Sequence, residues 1–355
     1  MASPMQINTE VLTDRLSVRF GPVRDFQVFD EDNCDTVVVI FEDERRALVR
    51  FRTHEAGVTP GGQTSMASEE ATMGYLRRFT NVPVLDVLWY DNDADRGVGG
   101  EWMVLEHLGV SLQDKWVDMS IEQRRKLASG IAEIWSELVQ PEFDGIGSLW
   151  RTQDTFRVGP VAPTSSADAL NAQDVNRGPF YHPEDWLVAL ASGQLGSRSS
   201  VPPTPVEDDC MAQVADSLRD SPSLGNADKH LPIGLQHANL HVGNILVDPE
   251  DPSVIVAVTN WEGARTAPLW AIQPRFLVPP QATREEILDW QKLIREAVGS
   301  LAPDWLQCTG QEEPWRLYRK LHKMAQDSRI FINLSPVRRA FEESLGRDVA
   351  SVAIT

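Results

Sequence analysis

The stretch LQHANLHVGNILVD, residues 235–248, decides how the rest of the chain is interpreted. An apolar lead-in ends at His237, a polar segment follows, and Gly243 and Asn244 then open an apolar run typical of a strand. This arrangement places several polar side chains next to a strand, where they could form a site. The side chain at position 239 is an amide, Asn239, so the polar segment has no carboxylate there.

The chain upstream of this stretch has the pattern of a small, β-rich unit. Two apolar-rich runs, 36–41 and 47–52, flank a charged turn and predict a β-hairpin. A helix is predicted over 68–79, because Ser68 can cap it and acidic residues precede two late arginines. Further strands are expected up to 101–108, so we predict a small N-terminal lobe over residues 1–106.

From about residue 111 the pattern becomes helical. The segment 120–139 carries apolar residues at helical spacing and is expected to bury that stripe. Residues 151–230 are the least regular, and the Ser-, Gly- and Pro-rich stretch 192–205 is predicted to be a flexible loop. A strand pair around 244–263 and a helical C-terminal third follow. The fold class is therefore predicted to be α+β, with a larger, mostly helical lobe over 107–355 that carries the segment 237–262.

Composition limits the classes of partner. The formal net charge of −19 disfavours nucleic acid and anionic membrane surfaces. Three widely spaced cysteines, Cys34, Cys210 and Cys308, predict neither a disulfide framework nor a zinc site. The first 20 residues lack the apolar core of a signal peptide, and no stretch approaches the roughly 20 apolar residues of a membrane span. We therefore expect a cytoplasmic protein.

Four local sequences in this order resemble the aminoglycoside phosphotransferase and choline kinase-like superfamily, and more closely its fungal phosphotransferase enzyme family branch. The resemblance extends from roughly residue 20 to 340. It implies a bilobal protein kinase-like fold with a hinge near Glu106–Leu108, where Glu106 would contact the nucleotide. The four sequences are SEEATMGYLRRFTNVPV (68–84), RGPFYHPEDWL (177–187), HANLHVGNILVD (237–248) and VTNWEGARTAPLW (258–270).

The resemblance also assigns catalytic positions, and two of them have lost their carboxylates. In the family an aspartate at position 239 would orient the acceptor hydroxyl, Asn244 would ligate a metal, and an aspartate at 260 would be the second metal ligand. This chain has Asn239 and Asn260 there. Magnesium prefers carboxylates and phosphates, so two neutral amides would hold it weakly. Glu262 could replace the missing ligand, since alternate residues of an extended segment share a face, or it could form a structural salt bridge.

The small lobe carries part of the nucleotide site that the resemblance implies. Arg50 occupies the position of the family's strand lysine, and its helix partner would be Glu69, or Glu70 if the register shifts by one. This ion pair could serve phosphate binding or architecture alone. The stretch VFDEDNCDTVVV (28–39) corresponds to the family's glycine-containing phosphate loop. It has no glycine and four acids, which would repel a triphosphate, namely Asp30, Glu31, Asp32 and Asp35.

Several residues near the loop are candidates for binding an organic ligand. Trp261 and Trp270 flank the site in sequence and are predicted to line a pocket, whereas most other tryptophans should be core. Arg265 could bind an anionic or carbonyl group, or lie in a solvated loop. His237 could act as an acid or base or organise the loop, and His241 could reach the cleft or pack against it.

Three functions fit these observations. In the first, the ATP and magnesium site is vestigial, no cofactor is expected, and the cleft binds a small organic molecule. In this hypothesis the cleft could catalyse a cyclisation or isomerisation in fungal secondary metabolism. In the second, the chain is a non-catalytic pseudokinase that binds a protein partner. In the third, it is a weak phosphotransferase that uses Glu262 and Asn239. Two engineered Asp→Asn changes would also explain the asparagines, but they would not explain the acidic loop.

Overall fold

The structure, a computed structural model, describes residues 7–29, 35–53, 64–140, 143–163, 176–191, 195, 232–272, 277–312 and 315–326. The predicted flexible loop at 192–205 lies outside these ranges apart from Leu195. Asp30, Glu31 and Asp32 of the acidic stretch also lie outside them.

An antiparallel sheet forms the N-terminal part of the molecule. Its five strands lie in the order β1-β2-β3-β5-β4. One helix precedes the sheet and a second connects its third and fourth strands. The elements are α1 (Thr9–Phe20), β1 (Val23–Phe29), β2 (Asp35–Phe41), β3 (Arg46–Thr53), α2 (Ser65–Phe79), β4 (Val87–Asp91) and β5 (Gly100–Glu106).

This sheet is buried on both faces, as the two-residue periodicity of its strands allows. One face packs with Leu12 and Leu16 of α1 to form a separate apolar cluster. The other face contributes Met103 and Leu105 to the large core, which also includes Met66 of α2. The sheet is therefore fixed to the C-terminal part through α2 and the inner face of β5.

In the described residues, the C-terminal part is mainly helical and contains three small sheets. The site loop lies between β9 and β10, and β10 pairs with both β11 and β6. The strand β12 pairs with β9 in a sheet of its own. The elements are β6 (Val110–Ser111), α3 (Leu112–Lys115), α4 (Ile121–Val139), β7 (Ser148–Thr152), β8 (Thr155–Gly159), α5 (Pro183–Ala191), β9 (Ile233–Gln236), β10 (Ile245–Val247), β11 (Ile255–Val258), β12 (Arg265–Pro268), α6 (Arg284–Leu301), α7 (Pro303–Cys308) and α8 (Trp315–Gln326).

Most predicted elements occur, with two corrections. The helix predicted from Ser68 begins one turn earlier, because the Thr64 side chain caps it by accepting a hydrogen bond from Ala67 N. The stretch beginning at residue 151 was predicted to be irregular, yet β7 and β8 form a regular hairpin there. The lobe boundary at residue 106 stays a prediction, although β5 ends at Glu106. In the described ranges, no helix is long and apolar enough to cross a bilayer.

Candidate functional site

His237 organises the site loop through both of its ring nitrogens. Its Nδ1 accepts a hydrogen bond from Asn239 N at 3.1 Å, so Nε2 must carry the proton that it donates to Thr259 O at 2.9 Å. Burial lowers the pKa of His237 to about 4. The imidazole is therefore neutral and links the loop to the segment after β11, which fits the structural role among the two roles considered for it.

The two asparagines of the loop have different surroundings. The Asn244 side chain is buried, and its Nδ2 donates to the carbonyl of Asn239 at 2.8 Å. That bond leaves Oδ1 as the atom that could face a metal. Asn239 is exposed at the turn, where an acceptor hydroxyl could reach it.

Asn260 occupies a left-handed backbone conformation, with φ of 60°. Asparagine and aspartate are the side chains that tolerate this region best, so the backbone does not favour one over the other. The Asn260 Oδ1 lies 3.5 Å from Nη2 of Arg50. The side-chain oxygen that would ligate a metal therefore faces a guanidinium.

Glu262, the alternative metal ligand, is already bound by groups of the N-terminal part. Its Oε1 accepts hydrogen bonds from Arg52 Nη1 and from Ser65 Oγ, the latter at 2.8 Å. Its Oε2 lies 3.8 Å from Nη2 of Arg50. Glu262 therefore forms a structural salt bridge, the second of the two roles predicted for it. Its contacts connect β3 and α2 to the segment after β11.

Arg50 and Glu69 form a buried ion pair between β3 and α2. Burial raises the pKa of the Glu69 carboxyl, Arg50 opposes this increase, and the Glu262 carboxylate adds to it. The register with Glu69, not Glu70, is correct for this pair, since Glu70 binds Arg151 instead.

The donor set fits Mg²⁺ poorly. Magnesium requires near-octahedral oxygen ligands and is usually held through carboxylates and phosphates. Asn244 and Asn260 offer only neutral amides, and the nearby Glu262 carboxylate is bound to two arginines and a serine. Within the described ranges, no three His, Cys, Asp or Glu side chains gather into a group that could hold a metal ion.

Trp261 and Trp270 lie in the core, contrary to the prediction that they line a pocket. Neither side chain is exposed to solvent. Trp261 packs against His237 with ring centroids 4.5 Å apart, and its Nε1 donates to Val258 O at 2.9 Å. Trp270 stacks on Tyr318 with centroids 5.0 Å apart. Trp261 therefore packs against the site loop, and Trp270 packs among the helices.

His241 and Glu106 also make backbone contacts. The Nδ1 of His241 accepts from Gly243 N at 3.0 Å and caps the 3-10 turn that leads into β10. These contacts fit the second role predicted for His241, in which it packs against the loop. Glu106 N donates to Asp86 O at 2.9 Å, which fixes the end of β5 against the residue that precedes β4. A nucleotide contact by Glu106 stays a prediction.

Arg265 is the first residue of β12 and lies directly opposite Gln236, the last residue of β9. Its Nε donates to Oε1 of Gln236 at 3.1 Å. The side chain is partly buried, and burial lowers the pKa of the guanidinium. Arg265 therefore does not lie in a solvated loop, and it pairs with the residue that precedes the loop carrying Asn239. A ligand contact by Arg265 stays a prediction.

Three residues of the site were not among the sequence-based candidates. Arg52 is two residues from Arg50 on β3 and so shares its face, which a period-two count would have indicated. Ser65 lies in the first turn of α2, which was predicted to begin later. Thr259 acts through its backbone carbonyl, for which side-chain chemistry gives no signal.

Comparison with known proteins identifies the family. Residues 26–271 match the model of the phosphotransferase enzyme family, so the chain belongs to that family. Two subtelomeric hrmA-associated cluster proteins from strains of Aspergillus fumigatus are each 24% identical over 290 residues. Each match covers 66% of this chain but only 55% of the relative, so the chain spans about half the length of these curated relatives.

Solved structures establish the fold. The aminoglycoside phosphotransferase APH(4)-Ia is 15% identical, with a TM-score of 0.51 over 96% of this chain and 97% of that one. A Thermobifida fusca protein described as a fructosamine-3-kinase is also 15% identical, with a TM-score of 0.51 and coverage of 94% and 97%. The predicted α+β, kinase-like fold and the family resemblance are therefore confirmed.

Proposed function

We propose that this member of the phosphotransferase family binds a small organic molecule beside Asn239 without magnesium-dependent transfer from ATP. The observation that carries the proposal is the state of Glu262. Arg52 and Ser65 hold its carboxylate, and Arg50 faces both Glu262 and Asn260. A metal would have to displace two cations to reach these oxygens, and it would gain only amide ligands elsewhere.

Features of the site loop favour binding of an organic molecule beside Asn239, the position at which the family orients its acceptor. Hydrogen bonds with the buried His237 and Asn244 side chains fix the backbone of the loop, whereas Ala238 and Asn239 are exposed. A pre-organised loop with an exposed amide can donate and accept hydrogen bonds to a ligand at little entropic cost. The finer form of the proposal is a cytoplasmic role in fungal secondary metabolism, with a non-phosphoryl step such as a cyclisation or isomerisation.

A weak phosphotransferase is the second candidate, and one observation favours it. The buried Arg50–Glu69 pair joins β3 to α2 as the family resemblance implies for a nucleotide-binding pair. Phosphoryl transfer depends mostly on positioning, so loss of the base at position 239 need not abolish it.

Thermal unfolding with Mg-ATP separates these candidates. At 100 times its dissociation constant, a ligand stabilises the native state by about 2.7 kcal/mol, which is readily measured. We expect millimolar Mg-ATP to leave the unfolding temperature unchanged and to yield no ADP. Magnesium-dependent ADP release by the unmodified chain would overturn the proposal in favour of the weak phosphotransferase.

Binding of organic molecules is tested in parallel with a matched pair of variants. Ala238→Trp would block the exposed loop, whereas Ala94→Trp places the same bulk at an exposed position of the β4–β5 connection. A metabolite that stabilises the parent and the Ala94 variant, but not the Ala238 variant, would support the site. Equal stabilisation of both variants would place binding elsewhere and contradict the proposal.

A further inference from the structure

Among the residues that the structure describes, Arg265 has no counter-ion, which is unusual for a guanidinium that is partly withdrawn from water. No carboxylate of the described chain lies within 4.0 Å of it, and its one hydrogen bond is from Nε to the neutral Gln236 side chain. Other arginines around the site are paired, Arg50 with Glu69 and Arg52 with Glu262. The absence is more notable because the chain carries 52 acidic residues.

The terminal nitrogens of Arg265 are available to a ligand. They make no hydrogen bond within the described residues, and they are not among the polar atoms that are sealed from solvent. Because Nε is held by Gln236, the outer edge of the guanidinium, with Nη1 and Nη2, is the free side. That edge matches the two oxygens of a carboxylate or phosphate, which arginine binds in a bidentate manner.

Arg265 lies at the end of the strand pair from which the site loop begins. Arg265 pairs with Gln236, and the exposed Ala238 and Asn239 follow within three residues. His237 lies between them and turns inward to Trp261. Arg265 and Asn239 thus lie at the same end of the β9–β12 strand pair.

We infer that Arg265 binds an oxyanionic group of the organic ligand, a carboxylate or a phosphate monoester, while Asn239 contacts its polar remainder. The inference rests on the proposed function and specifies the chemical class of the ligand. A desolvated cation without a partner costs free energy in the unliganded protein, and an anionic ligand would offset that cost.

Nuclear magnetic resonance of the arginine side chains in the intact protein tests this inference. Protein labelled with ¹⁵N-arginine is titrated with acetate, with inorganic phosphate, and with neutral acetamide. The Arg265 signals are identified by their loss in Arg265→Met, and Arg157→Met serves as the control because Arg157 is exposed on β8. We expect saturable shifts of the Arg265 signals, with dissociation constants on the order of millimolar for such small probes.

Each outcome has one meaning. Saturation by acetate supports a carboxylate ligand, and saturation by phosphate alone supports a phosphate monoester. No saturation by either anion, or equal shifts with acetamide, would overturn the inference. These titrations contain neither ATP nor magnesium, so they fail independently of the proposed function, which the ADP assay tests.

The unfolding temperature of the same two variants is a second measurement, and it should fall if Arg265 has only a structural role. If Arg265 serves a ligand, Arg265→Met should keep or raise the unfolding temperature, because the methionine removes an unpaired charge and retains apolar contact. A decrease of several degrees for Arg265→Met, with none for Arg157→Met, would assign Arg265 to the architecture and contradict the inference.

Discussion

The amides at positions 239 and 260 have different consequences because their neighbours differ. Asn239 is exposed, so its side chain can meet whatever occupies the cleft. Asn260 faces Arg50 across 3.5 Å, so its oxygen is already near a positive charge. The identities of these residues could be predicted to matter from the sequence, through the family motif. The arginines that surround Asn260 and Glu262 depend on the approach of β3, which a motif does not describe.

The tryptophans show where side-chain identity gives too little information. Trp261 and Trp270 flank the motif, and their size suggested a ligand pocket. In the structure Asn260 has a positive φ, and the next residue, Trp261, is buried against His237. The direction of a side chain depends on the backbone conformation and on packing against distant residues, and residue type alone gives neither.

Glu101 is expected to make stability depend on pH. Its side chain is 3% exposed, and burial raises the pKa of the carboxyl from 4.5 to about 7, while Thr64 and Arg52 oppose the increase. The folded protein therefore binds the proton more tightly than the unfolded chain does. This contribution to stability is present below pH 4.5 and is lost as the pH rises to about 7.

The isosteric change Glu101→Gln removes this titration. Relative to the parent, the variant should gain on the order of 3 kcal/mol of unfolding free energy between pH 4.5 and pH 8. Urea unfolding at several pH values measures the gain, and Glu133→Gln on the exposed side of α4 is the control. A pH-independent difference between Glu101→Gln and the parent would contradict the assignment.

Among the secondary-structure elements, those with a regular apolar pattern could be predicted, whereas pairing between short strands could not. The stripe of α4 is buried as its spacing predicts, because helical periodicity alone fixes one face. The hairpin of β7 and β8 was not predicted. Residues 151–230 are rich in residue types typical of loops, and the short strands were interpreted as part of that irregular stretch. Pairing of β12 with β9 also could not be predicted, because it joins strands of four residues each.

Gly147 shows how one close approach supports the site strands. Its N–H is bound by the Thr266 hydroxyl at 2.9 Å, which ties the start of β7 to β12 and hence to Arg265. A Cβ at Gly147 would lie 2.0 Å from the carbonyl oxygen of Gly159. Backbone cannot move aside cheaply, so we expect Gly147→Ala to destabilise the protein by roughly 2–4 kcal/mol.

Gly130 offers the matched control for this change. It lies within α4, and an added Cβ would only touch Ile255 at 3.4 Å. Gly130→Ala should therefore stabilise the protein by about 0.5–1 kcal/mol through helix propensity. Denaturant unfolding of both variants measures these effects. A neutral Gly147→Ala would mean that the β7–β12 connection is looser than the structure indicates.

At the scale of the whole molecule, polar contacts connect the N-terminal part to Glu262, the side chain that was the alternative metal ligand. Arg52 and Ser65 come from the N-terminal part, and Glu262 comes from the segment after β11. The kinase-like fold is confirmed by the solved structures, and it could be predicted because family motifs and element order both indicate it. The bridge across the cleft could not be predicted, since its residues are 210 positions apart in sequence for Arg52 and Glu262.

Restoring the two aspartates tests whether this bridge, and not only the asparagines, excludes Mg-ATP. Asn239→Asp with Asn260→Asp should fold, because position 239 is exposed and position 260 has a backbone conformation that both residue types accept. A carboxylate at 260 would lie about as far from Arg50 as the present amide does, and would pair with it. We therefore expect calorimetric titration of the double variant with Mg-ATP to give no more heat than the parent.

Adding Arg52→Met to the double variant releases Glu262 from its strongest partner and leaves three carboxylates facing the cleft. If the bridge is the barrier, only this triple variant should bind magnesium, with Arg52→Met alone as the control for the loss of the salt bridge. Micromolar Mg-ATP binding by the double variant would instead show that the asparagines alone disable the nucleotide site, and that the charge pairs rearrange readily. Absence of binding in all four proteins would place the barrier in the phosphate loop, whose acidic sequence at 30–32 would then be the next segment to replace.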